Sequence, residues 1–196
     1  MEGHRDGSRL RYILCGASGS GKTTMAGILE RELGLVRCIS TTTRPPRPGE
    51  TDGRDYHFKP NLDPADLFEH ATFGQYQYGI SWSDLAKGDF IILDPQGVDY
   101  YCQHYPFPLT VIQLQRSGIQ VDEQRRARDQ DAGFDGIHPD LLIQGETIEE
   151  MSHNLLLAIR QLEKQTRSLD GQIELARFRI PHVIENKQLD HIERIN

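Results

Sequence analysis

The sequence contains no apolar run close to the ~20 residues that a membrane-spanning helix requires. Its polar first nine residues also lack the apolar centre of a signal peptide. Lys and Arg, with 22 residues, are outnumbered by 29 Asp and Glu, and the formal net charge is -7. Non-specific nucleic-acid binding and attachment to a membrane surface usually draw on positive net charge, so both are disfavoured. We therefore expect a cytoplasmic protein with a short flexible tail at residues 1–9.

Cysteine is also scarce. Cys15, Cys38 and Cys102 are an odd number without metal-ligand spacing, so the sequence predicts neither a disulfide framework nor a metal site built on thiolates. Cys15 and Cys38 lie in apolar runs that are typical of strands. We expect these two residues to be buried thiols.

The remaining 187 residues, 10–196, suit a single domain of the α/β class. Apolar runs that predict strands alternate with helical patterns, and this alternation favours a parallel sheet flanked by helices. Phe90–Leu93 is apolar on both faces, which predicts a central strand. The predicted strands are Leu10–Cys15, Val36–Ser40, Phe90–Leu93, Leu109–Leu114 and His182–Glu185.

Helical patterns follow the first strand, as far as Gly34, and occupy Asp63–His70 and Trp82–Lys87. A longer helix begins near Ile148, and its apolar stripe predicts packing against the sheet rather than a coiled coil. Before it, residues 115–147 are largely polar and rich in arginine, which suggests a lid region. The stripe consists of Ile148, Met151, Leu155, Ile159, Leu162 and Leu169.

A complete phosphate-binding loop, Gly16-Ala17-Ser18-Gly19-Ser20-Gly21-Lys22-Thr23, stands between the first strand and the first helix. Its glycines allow backbone amides to face the phosphates of ATP, and the helix N-terminus adds to the positive potential. Lys22 can neutralise the β- and γ-phosphates, and Thr23 can offer its hydroxyl to Mg²⁺. The pattern predicts a P-loop NTPase fold with ATP and Mg²⁺ as cofactors. The predicted ATP-binding residues are Gly16, Ser18, Gly19, Ser20, Gly21, Lys22, Thr23 and Thr24.

A second segment suited to a phosphorylated molecule starts at Ser40 and ends at Phe58. Arg44 and Arg47 stand on a proline-stiffened loop, where two guanidinium groups can grip one phosphate through paired hydrogen bonds. Tyr56 and Tyr78 can add neutral hydroxyl donors that orient the phosphate. Two anion sites in one chain suggest phosphoryl transfer.

This segment closely resembles the guanylate kinases, which share its order of Ser, Thr-Thr-Arg, Pro-Arg, Pro-Gly-Glu, Gly, Asp-Tyr and an aromatic residue. The resemblance implies a monophosphate-binding subdomain at residues 36–84 and catalysis by transition-state charge neutralisation. Ser40 stands at the position of a base-contacting hydroxyl in that family. The implied substrate-binding residues are Ser40, Arg44, Arg47, Tyr56, Glu69, Tyr78, Ser81 and Asp94.

Glu69 is the residue that the resemblance links to base choice. Guanine presents two adjacent donors on its pairing edge and a carboxylate can accept both, whereas adenine presents an acceptor beside its amino group. The family pattern continues through Ala71 and Phe73 to Tyr78-Gly79. One departure affects the base pocket, because Ile80 replaces a family Ser or Thr and a hydroxyl returns only at Ser81.

Three further positions match the family less fully. Asp94 opens an Asp-x-Gln-Gly motif and could orient an arginine, contact the base, hold Mg²⁺ or simply cap a helix. Asn186 matches a position near the ATP adenosine. Arg125, Arg126 and Arg128 resemble lid arginines that stabilise the transferred phosphoryl group, or they are surface residues of a helix. Arg125 and Arg128 join Lys22, Arg44 and Arg47 as the candidate catalytic residues.

The implied function is an ATP-dependent kinase that converts GMP or dGMP to the diphosphate. One alternative is a kinase for a different or modified purine monophosphate. Another is a non-catalytic phosphopeptide-binding module, which the intact Lys22 and Thr23 disfavour. The expected partners are small nucleotides rather than nucleic acid or a membrane, and the sequence predicts no particular oligomeric state.

Overall fold

The computed structural model describes residues 10–118, 123, 133–168 and 182–184. They belong to two compact units, one built from Met1–Arg11 and Val36–Ile91 and the other from Tyr12–Leu35 and Ile92–Asn196. We call them unit 1 and unit 2. The strands are β1 (Tyr12–Cys15), β2 (Thr41–Thr42), β3 (His57–Phe58), β4 (Leu67–Phe73), β5 (Tyr76–Ser81), β6 (Phe90–Ile92), β7 (Thr110–Arg116), β8 (Leu141–Gly145) and β9 (His182–Ile184). The helices are α1 (Lys22–Leu33), α2 (Trp82–Leu85), α3 (Pro95–His104) and α4 (Ile148–Ser168).

The larger sheet has the order β6-β1-β7-β8-β9. Strands β1, β7, β8 and β9 pair in parallel, which confirms the predicted α/β class. The register sets Ile13 opposite Val111 and Ile112 opposite Leu141. Ile13 and Ile112 have no exposed surface, because strands in the middle of a parallel sheet are covered on both faces.

Helix α4 confirms the long helix predicted from its apolar stripe. Met151, Leu155 and Ile159 are fully buried on it, and the helix packs on β8 and α1. The stripe therefore faces the protein's own core, as expected. Leu169, the last residue of the predicted stripe, lies outside the described residues.

Strand β8 is a feature that the sequence did not predict. It lies within residues 115–147, where we expected polar lid sequence, and β7 also extends into that region as far as Arg116. Leu141 and Ile143 of β8 are buried in the sheet. The apolar run of this strand has only three residues, and Asp140 and Gln144 on either side of it are polar, so the run does not stand out.

Strand β6 was predicted to be central but stands at the end of the order. Its outer side is nevertheless hydrogen-bonded, because the Cys38 amide donates to the Phe90 carbonyl at 2.7 Å and the Phe90 amide to the Val36 carbonyl at 3.3 Å. Phe90 and Ile91 point to opposite faces of the sheet and are both buried, so β6 is covered on both faces although it ends the order. The prediction of a strand over Val36–Ser40 was wrong, since that segment forms only an isolated bridge between Arg37 and Phe90.

Unit 1 contains a second sheet, with the order β3-β2-β5-β4. The helix predicted at Asp63–His70 is wrong: a 3-10 turn at Pro64–Asp66, capped by Asp63, leads directly into β4. Strands β4 and β5 then form an antiparallel hairpin. The short helix predicted from Trp82 is confirmed as α2.

No helix within the described ranges is long and apolar enough to cross a lipid bilayer.

The three cysteines differ in accessibility, which gives a testable difference in reactivity. Cys15 and Cys38 are buried, as predicted, and Cys102 is exposed on α3. Burial raises the pKa of the Cys15 thiol from 9.0 to about 12, so its thiolate is scarce in the folded protein at pH 8. We expect an aromatic disulfide reagent to label one thiol rapidly in native protein and all three after unfolding. Cys102→Ser should abolish the rapid phase, and rapid labelling of a second thiol would contradict the described core.

Candidate functional site

The phosphate loop of unit 2 joins β1 to α1, as the sequence predicted. Three glycines of the loop have positive φ, with 148° at Gly16, 80° at Gly19 and 92° at Gly21. Gly21 is the residue before α1, and no side chain caps the helix at that point. The first amides of α1 are therefore left for an anion, and the first turn contains no acidic residue to repel one.

Lys22 lies against the loop that it is predicted to serve. Its Nζ donates to the carbonyl oxygens of Gly16 at 2.5 Å and Ala17 at 2.9 Å. The Ser20 amide closes the turn by donating to the Ala17 carbonyl at 3.1 Å. The ammonium group is thus held at the mouth of the loop, where incoming phosphate oxygens can replace the carbonyls as its partners.

The other predicted ATP contacts differ in exposure. Thr23 and Thr24 are exposed at the start of α1, Gly19 is exposed and Ser18 is half-buried. Ser20 is buried, and its hydroxyl has no hydrogen-bond partner in the described part of the chain. The exposed hydroxyls can be reached by solutes, whereas Ser20 belongs to the inner side of the loop.

Replacement of Gly16 by any larger residue would distort this loop. A Cβ at Gly16 would stand 2.4 Å from the Leu114 carbonyl oxygen and 2.7 Å from the Ser20 hydroxyl, at a φ that L residues disfavour. We expect Gly16→Ala to destabilise the protein by about 1–3 kcal/mol and to weaken ATP binding. Thermal melting and ATP titration measure both effects.

Gly27→Ala is the matched control, because a Cβ at this α1 position meets nothing within 4 Å. Replacing a helical glycine by alanine should raise stability by about 1 kcal/mol or less. Equal melting temperatures for the Gly16 and Gly27 variants would contradict the described loop.

The predicted acceptor phosphate grip lies in unit 1, and Arg44 is its most constrained member. Arg44 is only 7% exposed. Its Nη1 and Nη2 donate to the two carboxylate oxygens of Glu50, each at 2.9 Å, and Nη1 also donates to the Pro45 carbonyl at 2.7 Å. The Arg47 backbone amide donates to the same carboxylate at 2.7 Å, while the Arg47 side chain is exposed. One carboxylate thus ties together the side chain of one predicted grip residue and the backbone of the other.

This pairing shifts the pKa values of both partners. The hydrogen bonds to Glu50 are the main reason that the pKa of Arg44 is raised, with a smaller contribution from Tyr78. The hydrogen bonds from Arg44 and then from the Arg47 amide lower the pKa of Glu50. Both groups are charged near neutral pH. No role is predicted for Glu50 from the sequence, although its place in Pro-Gly-Glu, six residues after Arg44, was the available signal.

Aromatic rings surround the Arg44 guanidinium. Its central carbon lies 5.5 Å from the centroid of Tyr56 and 5.7 Å from that of Phe58. Tyr56 also contacts Tyr78 edge-to-face at 6.1 Å between centroids. Burial raises the pKa of Tyr56, which keeps its hydroxyl protonated as a donor. Arg44, Tyr56 and Tyr78 therefore lie together in unit 1.

The residues predicted to contact the base also lie in unit 1. Glu69 is half-buried on β4, directly opposite Ile80 on β5. Ile80 has no exposed surface and belongs to the core. As an isoleucine it offers no hydroxyl at that position. Ser81 caps α2, accepting from the Asp84 amide at 3.1 Å and donating to its carboxylate at 2.7 Å. Ser40 is half-buried, and its carbonyl accepts from the His57 amide.

Asp94 belongs to unit 2 and caps α3. Its Oδ1 accepts from the Gly97 amide at 2.8 Å, and the residue is exposed. The capping role considered from the sequence is therefore present. Mg²⁺ usually takes one or two protein oxygens and completes its sphere with water and substrate phosphates. The exposed Thr23 hydroxyl and Asp94 carboxylate fit that donor set, and the described residues contain no cluster of three His, Cys, Asp or Glu that would form a closed metal cage.

The predicted lid arginines, Arg125, Arg126 and Arg128, lie outside the described residues, as does Asn186.

Known proteins of one family resemble this chain in sequence and in fold. The family model described as guanylate kinase matches residues 8–176. The guanylate kinase of Alkalilimnicola ehrlichii is 34% identical over 157 residues, covering 72% of this chain and 74% of that protein. The guanylate kinase of Idiomarina loihiensis is 30% identical over 191 residues, covering 87% and 89%. The crystal structure of guanylate kinase from Anaplasma phagocytophilum superposes with a TM-score of 0.61 at 25% identity, covering 89% of this chain and 98% of that one.

The chain that carries the phosphate loop and the Arg44–Glu50 cluster therefore belongs to the guanylate kinase family.

Proposed function

We propose that this protein transfers the γ-phosphoryl group of ATP to GMP or dGMP, giving GDP or dGDP and ADP. The observation that carries the proposal is that one chain of this family holds two candidate anion sites. These are the phosphate loop with Lys22, and the cluster in which Glu50 joins Arg44 to the Arg47 backbone and Arg44 lies against Tyr56. A phosphate oxygen of the acceptor attacks the γ-phosphorus of ATP, and the bond from that phosphorus to the β–γ bridging oxygen breaks. No covalent enzyme intermediate is needed.

The chain's residues act by orientation and charge neutralisation. Lys22 and the loop amides hold the β- and γ-phosphates, so that negative charge on the leaving ADP is compensated. Arg44 and Arg47 hold the acceptor phosphate, with hydroxyl donors from Tyr56 and Tyr78. Thr23 and Asp94 are the residues that would hold Mg²⁺, which supplies further neutralisation of phosphate charge when bound.

We extend the proposal to three residues outside the described ranges and to two larger regions of the chain. Arg125 and Arg128 would contribute charge from the lid as it closes over ATP, and Asn186 would lie near the adenosine. Residues 36–84 would form the monophosphate-binding subdomain. The lid region, predicted at 115–147, would be the part of that range between β7 and β8. Since both substrates are small nucleotides of the cell interior, we place the protein in the cytoplasm.

Base choice is the part of the proposal that Glu69 carries. Its carboxylate can accept two hydrogen bonds from guanine, whereas a glutamine amide presents one acceptor and one donor. We expect Glu69→Gln to lower kcat/KM for GMP by ~10- to 100-fold, the equivalent of losing one hydrogen bond to a charged group, and to change that for AMP much less. Glu149→Gln, at an exposed position on α4, is the control and should leave both values unchanged. An unchanged preference for guanine in Glu69→Gln would remove Glu69 from this role.

A second candidate function is phosphorylation of a different or modified purine monophosphate. It is favoured by the burial of Ile80 and the engagement of Ser81 in capping α2, since neither then offers a free hydroxyl to the base. This candidate keeps the phosphate grip and changes only the base.

A panel of nucleoside monophosphates distinguishes the candidates. ADP release is measured with ATP, Mg²⁺ and each of GMP, dGMP, AMP, IMP, CMP and UMP in turn. We expect GMP and dGMP to give the highest kcat/KM. A higher value for another purine monophosphate would favour the second candidate, and the absence of ADP release with every member of the panel would refute the kinase.

A further inference from the structure

Glu50 occupies the end of the Arg44 guanidinium that a phosphate would otherwise be expected to take. The carboxylate meets Nη1 and Nη2 in a fork with both distances at 2.9 Å. Such two-bonded pairing is the same geometry by which arginine binds a phosphate end-on. A phosphate can therefore bind this end of Arg44 only after Glu50 has moved away.

The other edge of the same guanidinium is differently placed. The Nε of Arg44 is buried and has no hydrogen-bond partner among the residues that the structure describes. A buried donor on a charged group costs free energy while it is unpaired, so an unpaired one in a binding loop indicates a place for a ligand acceptor. Arg44 is only 7% exposed, so solvent does not readily supply the acceptor that this donor lacks.

Glu50 also fixes the loop around this edge. Its Oε2 accepts from Nη1 of Arg44 and from the Arg47 backbone amide at 2.7 Å, and its own amide donates to the Arg47 carbonyl at 3.0 Å. The rings of Tyr56 and Phe58 lie against the same guanidinium. The orientation of Arg44 is therefore determined on several sides before any ligand arrives, which lowers the entropy lost on binding.

The positive charges of Arg44 and Arg47 are compensated to different extents. Arg44 and Glu50 together carry no net charge, whereas the Arg47 guanidinium is exposed and makes no ion pair within the described ranges. Arg47 can then supply net attraction to the phosphate dianion, and Arg44 can supply an oriented donor. A phosphate held in this way keeps more electron density on its attacking oxygen than one held by two uncompensated arginines.

We propose that Glu50 is a positioning residue for the acceptor: it holds Arg44 by its end, so that Arg44 meets the acceptor phosphate through its Nε edge. This inference rests on the proposed function, because it concerns how the same acceptor is held. The opposing model is that Glu50 is a stand-in for the phosphate. In that model Glu50 fills the phosphate position on Arg44 only while the site is empty, and the phosphate displaces it on binding. The two models predict opposite effects when the Glu50 charge is removed.

The test compares Glu50→Gln and Glu50→Asp with wild-type protein by calorimetric titration of GMP and by steady-state kinetics with GMP and ATP varied separately. Gln removes the charge, and Asp keeps it but withdraws the carboxylate by one methylene. If Glu50 positions Arg44, both variants should bind GMP about tenfold or more weakly, with KM for GMP raised and KM for ATP unchanged. If Glu50 is a stand-in, Glu50→Gln should bind GMP more tightly than wild type, and that result would overturn the inference.

Asp55→Asn is the matched control. Asp55 also accepts from a backbone amide, that of Thr51 at 2.8 Å, and pairs with an arginine, Arg54, at 2.7 Å. That pair is more exposed and holds neither predicted grip residue. Asp55→Asn should bind GMP as wild type does, and an equal loss in this variant would reduce Glu50 to a general support of the loop and overturn the proposal.

The result for wild-type protein distinguishes failure of the proposed function from failure of the Glu50 role. If wild type does not phosphorylate GMP, the proposed function fails. If wild type phosphorylates GMP but the Glu50 variants bind it as tightly as wild type, only the role of Glu50 fails.

Discussion

Lys22→Ala is expected to abolish measurable turnover, with kcat reduced by at least ~10³-fold, while the protein stays folded. Catalysis in this mechanism depends on fixed positive charge at the phosphates, and removal of a single such group commonly costs that much. In the structure the Lys22 ammonium is held by the Gly16 and Ala17 carbonyls, so it is already placed at the loop before ATP arrives. Alanine is favourable at a helical position, and we expect the melting temperature to change by only a few degrees.

The measurement is ADP release with saturating ATP and GMP, together with thermal melting. Lys164→Ala is the control, since Lys164 is exposed on α4 and far along the chain from the loop. It should turn over at the wild-type rate. Normal turnover in a folded Lys22→Ala protein would exclude the mechanism.

Arg44→Ala is expected to impair use of the acceptor rather than of ATP. Truncating one member of a desolvated charge pair costs about 2–5 kcal/mol, which corresponds to a rise of ~30-fold or more in KM for GMP. Part of that cost arises because Glu50 loses the partner that holds its pKa low. We also expect a loss of stability of about 1–3 kcal/mol, because the Glu50 carboxylate and the rings of Tyr56 and Phe58 lose their common partner.

Arg54→Ala is the matched control for this prediction. Arg54 also pairs with a neighbouring carboxylate, but its side chain is 60% exposed against 8% for Arg44, and exposed pairs contribute little. Kinetics with GMP and ATP varied separately, and thermal melting, give both readouts. Equal kinetic effects of the Arg44 and Arg54 variants would mean that the loop contributes only general positive charge.

Features fixed by local sequence could be predicted. The phosphate loop is one, because its conformation depends on residues that are adjacent in the chain. Gly19 and Gly21 adopt the left-handed backbone that the loop requires, and Lys22 follows them directly with its ammonium group. The long helix α4 is another, since an apolar stripe sustained over several turns at helical spacing strongly favours a helix with one buried face. The motif assigned Arg44 and Tyr56 to one phosphate, but it did not predict the contact between the guanidinium and the ring.

Features fixed by tertiary contacts could not be predicted in the same way. Strand β8 depends on pairing with β7, and its short apolar stretch gives no periodic signal. The β4 segment reads as helical by pattern, yet pairing with β5 makes it a strand. Glu50 lacked a predicted role because it pairs with Arg44 across a turn that contains three prolines and a glycine. The residue types of that turn do not by themselves show that it closes far enough to bring the two side chains together.

The burial of Ile80 illustrates a difference of another kind. By resemblance, its position in the chain is that of a residue that contacts the base. In the structure, the apolar Ile80 side chain on the antiparallel β4–β5 pair is instead buried in the core of unit 1. Under the proposed function, this position offers the base no polar contact, and base choice depends more heavily on Glu69.

Two separate nucleotide sites underlie the proposed function, one for ATP at the phosphate loop and one for GMP at Arg44. Calorimetric titration of wild type, Lys22→Ala and Arg44→Ala with each nucleotide distinguishes them. We expect one site for each nucleotide in wild type, a selective loss of ATP affinity in Lys22→Ala and a selective loss of GMP affinity in Arg44→Ala. Folded wild-type protein that binds neither nucleotide, or variants that lose both affinities together, would be incompatible with two such sites.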